Sequence, residues 1–139
     1  MVQRYHTLQV LTEIVGERIA QDGKWGEQNH PDLSPRLFPR TPGFDTLDDG
    51  AEGQFDRGSI AWLAAVARYY GVPIADRAKE YCQSEHEGNY GSWFSIHVEE
   101  LAEALEQAAL GDTAKMRAEL IQLAATCTAH VEAIDRRTT

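Results

Sequence analysis

Residues 92–136 read SWFSIHVEELAEALEQAALGDTAKMRAELIQLAATCTAHVEAIDR, and this stretch decides the fold class. Ser92 is a helix-capping residue type, and a helix is expected from Trp93 to about Leu110. Its apolar side is Phe94, Val98, Leu101, Ala102, Leu105 and Ala109. Gly111 closes that helix, and Asp112 caps the next, which is expected to run to about Arg136. Met116, Leu120, Leu123, Cys127, Val131 and Ile134 recur at helical spacing as a core stripe, with Glu119, Gln122, Thr126 and His130 as a polar stripe beside it. A connection as short as Gly111-Asp112 makes the two helices antiparallel neighbours.

Working outward, Tyr5 to Ala20 reads as a first helix, with Leu8, Leu11, Val15 and Ile19 as its apolar stripe and Gln21-Asp22-Gly23 as a stop. From Asn29 to about Phe55 the chain is rich in proline and glycine. It carries Phe38, Phe44, Phe55, Arg36 and Arg40, side chains that either fold over a ligand or anchor the segment on the core. Asp56 is read as the cap of a helix to about Tyr70, and a third helix is expected from about Ile74 to His86. No strand pair or internal repeat is visible. The expectation is an all-α single domain spanning 1–139: an antiparallel bundle of about five helices with a long Pro/Gly-rich loop.

The formal net charge of −9 argues against a nucleic-acid partner, but leaves room for a nucleotide bridged by divalent cations. Neither cysteine, Cys82 or Cys127, belongs to a Cys-x-x-Cys pair, and both read as reduced packing residues. The first 18 residues contain Arg4, Glu13 and Glu17, so no signal-peptide core is expected, and no stretch has the ~20 apolar residues of a membrane span. A cytoplasmic location without membrane contact follows by default. A phosphate-cradling glycine loop, a Gly-x-Ser-x-Gly elbow and a His-Glu-x-x-His pair are all absent, which argues against three enzyme classes.

Glu99, Glu100 and Glu103 fall within an arc of roughly 100° on their helix. Like charges so placed repel one another, and a hard divalent cation such as Mg2+ relieves that cost. A solvated acidic face is the alternative. Glu103 lies eight residues before Gly111 and Glu119 eight after it, while Glu100 and Gln122 each lie eleven away. Antiparallel packing therefore sets the four side chains at matching heights. His97, three residues before Glu100, is a candidate phosphate contact or a plain surface histidine. Trp25 and His30 are candidates for holding a nucleobase, with a core anchor as the alternative for Trp25, and Lys24 is a candidate for meeting phosphate or a solvated charge.

Glu99-Glu100-x-x-Glu103 followed by Glu119-x-x-Gln122 resembles the paired acidic motif of the MazG-like all-α nucleoside triphosphate pyrophosphohydrolases, a family related to the dCTP pyrophosphatases. Glu17-Arg18, Trp25, Gln28 and His30 are similar to the first-helix segment of related members. The usual pattern is Glu-Glu-x-x-Glu and then Glu-x-x-Asp, so Gln122 departs from it and brings no charge. The resemblance implies an Mg2+-dependent enzyme that cleaves a nucleoside triphosphate to monophosphate and pyrophosphate. Glu100, Glu103, Glu119 and Gln122 would be the metal ligands and Glu99 the catalytic residue. Trp25, Gln28, His30, Lys24 and His97 would meet the substrate. It also implies a homodimer or higher homo-oligomer, for which Trp62, Tyr69, Tyr70 and Tyr81 could supply a face. A non-catalytic module that sequesters a nucleotide, and a helical interaction protein with a solvated acidic face, are the other readings.

Overall fold

The computed structural model describes residues 2–38 and 58–138. Among these the regular structure is entirely helical: α1 (Val2–Trp25), α2 (Ile60–Tyr70), α3 (Ala75–Glu87), α4 (Trp93–Leu110) and α5 (Thr113–Thr138), with one 3-10 turn at Pro35–Leu37. No helix is long and apolar enough to cross a membrane among the described residues. The expected Pro/Gly-rich loop falls largely on 39–57, including Arg40, Phe44, Phe55 and Asp56, outside the described residues.

Local chemistry sets the helix ends. Ser92 Oγ accepts from Ser95 N at 3.2 Å, and Gly111 terminates α4 at φ 74°, a left-handed conformation that favours glycine. Asp112 Oδ1 accepts from Lys115 N at 3.0 Å and starts α5. Two expectations need correction. α2 begins at Ile60 under Ser59, whose Oγ accepts from Trp62 N, and so lies later than a cap at Asp56 would place it. α1 runs through Gln21-Asp22-Gly23 to Trp25. Arg18 donates to both Gln21 and Asp22 at 2.7 Å, and Gln21 donates to Glu17, so these polar side chains brace the helix surface instead of forming a turn. Gly26, at φ 68°, ends the helix by donating its N–H to Asp22 O.

The described residues group into two compact units. The larger, residues 31–123, is organised around α4. Trp62 is 2% exposed and joins Val66 and Ala109 in a core covered by Leu33, Leu37, Phe38, Leu63 and Leu105. Its indole Nε1 donates to Ala109 O at 2.9 Å, and the Phe38 ring sits 5.5 Å from it. Trp62 is therefore a core residue and not part of a subunit face. Tyr70 and Tyr69 hold Ser34 through their hydroxyls at 2.7 and 2.9 Å, which pins the start of the Pro-rich segment to the end of α2. Ala75, Ala78 and Ala102 form a second cluster with Val98, and these small side chains bring α3 close against α4.

The smaller unit holds residues 1–30 and 124–139, with α1 and the C-terminal part of α5. Here the apolar stripes face outward. Tyr5 is 78%, Leu8 63% and Ile19 67% exposed, while Val10, off the stripe, is buried. On this part of α5, Cys127, Val131 and Ile134 are exposed, whereas Thr128 and Glu132 are buried; Leu120, on the part of α5 in the larger unit, is exposed too. The expected core stripe of α5 is thus largely a surface, because no described element of the chain covers it.

Candidate metal centre

Glu100 and Glu103 lie one turn apart on α4, and the Gly111-Asp112 turn returns the chain so that Glu119 of α5 meets them. One carboxylate oxygen from each of the three lies within 4.8 Å of the others. The Glu103 and Glu119 carboxyls lie close enough to hydrogen-bond when one of them is protonated. Glu100 Oε2 and Glu119 Oε2 are buried and have no hydrogen-bond partner. The two described ion pairs, Arg18–Asp22 and Lys115–Asp112, involve none of these glutamates. Burial of unsatisfied carboxylate oxygens is costly, and a cation is one partner that would satisfy such a set.

The electrostatics agree with the geometry. Burial, the hydrogen bond to Glu119 and the charges of Glu119, Glu100 and Glu99 raise the Glu103 carboxyl to about 7. Burial and then the charges of Glu119 and Glu99 raise Glu100 above the ordinary carboxylate range. The Cys82 thiol of α3 hydrogen-bonds Glu99, and burial followed by that contact pushes it up to about 11. Cys82 therefore stays a thiol at neutral pH and adds no soft thiolate to the site. An all-oxygen donor set fits a hard cation such as Mg2+.

This arrangement has a consequence for stability. A carboxyl whose pKa is higher in the folded chain than the ordinary 4.5 stabilises the fold while protonated. That contribution is complete below about pH 4.5 and is lost as pH rises through about 7. Glu103→Gln should match the metal-free parent at pH 5. At pH 8 it should melt roughly 3 °C higher, equivalent to about 1 kcal/mol after solvent screening. Thermal melts in chelator across pH 5–8 check this, and a constant offset between the two proteins would contradict it.

The other expected site residues are placed as follows. Gln122 is exposed, one turn beyond Glu119. His97 is partly buried, stacked on Trp93 at 6.3 Å and edge-on to Phe94 at 5.8 Å. Trp25 is 55% exposed with the Lys24 ammonium 4.9 Å above its ring, so it is no core anchor. Gln28 and His30 are exposed; with Lys24 and Trp25 they belong to the smaller unit, whereas the carboxylates belong to the larger. Cys82 lies against Glu99 although nothing local in the chain links these positions on separate helices. No protein-family model, curated protein or solved structure matches the chain.

Proposed function

We propose that the chain is a Mg2+-dependent nucleoside triphosphate pyrophosphohydrolase, releasing a nucleoside monophosphate and pyrophosphate. The observation that carries this reading is the convergence of Glu100, Glu103 and Glu119 from two helices, with two buried oxygens left without partners. The likeness of their spacing to the MazG-like motif names the reaction. Glu100, Glu103 and Glu119 would hold the magnesium, which would neutralise triphosphate charge and lower the pKa of an attacking water. Glu99, beside the cluster and anchored by Cys82, positions that water and takes its proton as the phosphoanhydride bond breaks. Gln122 contributes at most a neutral oxygen, and His97, on the same helix as Glu100, remains a substrate contact that the resemblance suggests. A panel of NTPs and dNTPs with Mg2+, assayed for pyrophosphate, is the test. Nucleotide binding without turnover would identify a sequestering module instead.

The same reading includes a homo-oligomer in which a second copy completes an antiparallel helical bundle. Its support is the exposed stripe Tyr5, Leu8, Val15 and Ile19, together with an apolar groove of about 340 Å³ lined by residues that include Leu101, Ala104, Leu105, Ala108, Met116 and Leu120. Exposed apolar surface on this scale marks an interface. Light scattering at micromolar concentration should give at least a dimer mass, and Leu8→Glu with Val15→Glu should give a monomer. A parent protein of monomer mass would refute the assembly.

A further inference from the structure

The turn between α3 and α4 encloses an open hollow of about 420 Å³, lined by Cys82, His86, Asn89, Ser92, Trp93 and Ile96, with Gly91 at its edge. We propose that this hollow holds the planar heteroaromatic ring, a nucleobase, of the ligand whose phosphates meet the carboxylates. The proposal rests on the nucleotide reading above and assigns its base recognition to residues that the sequence motif does not include.

Several independent features point there. The volume is within the ~300–1,000 Å³ common for small-molecule sites. Trp93 supplies an aromatic surface, and its stacking on His97, with ring planes 26° apart, steadies the indole. Ile96 adds an apolar wall. His86 and Asn89 supply both donors and acceptors, and the described lining has no lysine, arginine, aspartate or glutamate. Such a lining suits an uncharged ring with hydrogen-bonding edges and does not suit a phosphate. Asn89 sits at φ 61°, a left-handed conformation that asparagine tolerates, within the turn that shapes the hollow.

Position completes the case. Trp93, Ile96, Glu100 and Glu103 recur at helical spacing along one side of α4. At the helical rise, Glu100 lies ~6 Å along the axis beyond Ile96 and ~10 Å beyond Trp93. A nucleoside spans that interval between its base and its phosphates. Cys82 lines the hollow and also contacts Glu99, the residue next to Glu100 in the chain. A base against Trp93 thereby directs its phosphate tail toward Glu100 and Glu103.

Calorimetry on the full chain with Mg2+ tests this, using two probes: the α,β-methylene analogues of the four common dNTPs, and inorganic tripolyphosphate. Trp93→Leu and His86→Leu should each weaken the best-bound analogue about tenfold or more, the loss expected for a base-stacking or edge contact. Tripolyphosphate affinity should stay within about twofold. In the unmodified protein, the Trp93 indole N–H resonance should shift with the analogue and not with tripolyphosphate, a readout that survives even if a variant fails to fold. If both probes bind the parent but neither variant separates them and the indole does not respond, the hollow is not the base site, while the carboxylate reading stands. Equal weakening of both probes also overturns the base assignment. If neither probe binds the parent, both readings fall.

Discussion

Glu103→Ala is expected to lower pyrophosphate release by at least roughly 100-fold and to weaken Mg2+ binding at least tenfold. Glu103 is the member of the cluster that bridges the two helices, through its closeness to Glu119 and its place one turn from Glu100. Its removal takes away one of the three carboxylates and the contact that orients a second. Its titration adds a second signature. With the carboxyl raised to about 7, a proton competes with the cation, so Mg2+ affinity of the parent should fall as pH drops from 8 to 6. The alanine variant should lose most of that slope. Calorimetric titration of both proteins at three pH values measures both effects, and circular dichroism verifies that the variant is folded. Unchanged Mg2+ affinity in Glu103→Ala would mean that these glutamates form a solvated acidic face.

Trp62→Ala should cost about 3–5 kcal/mol, a large share of the ~5–15 kcal/mol that holds a domain of this size together. Three losses coincide at this side chain. The ring fills the core formed with Val66 and Ala109, Phe38 packs on it, and its Nε1–H satisfies the buried Ala109 carbonyl at 2.9 Å. That carbonyl belongs to the last turn of α4, so the indole also fastens α2 to the helix that carries Glu100 and Glu103. Trp62→Phe isolates the polar part: the ring remains, the donor goes, and the cost should be about 1–3 kcal/mol. Urea unfolding of the two variants gives the comparison directly. A cost below about 1 kcal/mol for the alanine variant is incompatible with a buried, hydrogen-bonded Trp62.

The helix ends around the site were readable from the chain because caps and stops act within one turn. Ser92, Gly111 and Asp112 each do locally what their residue types suggest, and α4 spans the expected Trp93–Leu110. The register of the carboxylates was readable for a related reason. When a chain reverses at a short turn, residues equally far from it come together, and Glu103 lies beside Glu119; the same count pairs Glu100 with Gln122, but Glu100 lies in the cluster with Glu119 and Gln122 is exposed. The all-helical class follows from the periodicity of the same stretch.

Other features depend on partners far away in sequence, and only the tertiary structure decided them. An apolar stripe says that something covers it but not what, so Leu8, Ile19, Leu120 and Val131 are exposed where burial was the simpler expectation. Trp62 is equally suited by composition to a subunit face or a core, and the Ala109 carbonyl, 47 positions away, settles it as core. Gln21-Asp22-Gly23 has the residues of a stop, yet pairing along the α1 surface carries the helix past it. Cys82 reaches Glu99 only because small alanines let α3 lie close to α4. Periodicity and capping act over a few residues, so they are written in the chain. Which face is covered, and by what, is set by the free energy of burying one surface against another, and that exists only once the helices have packed.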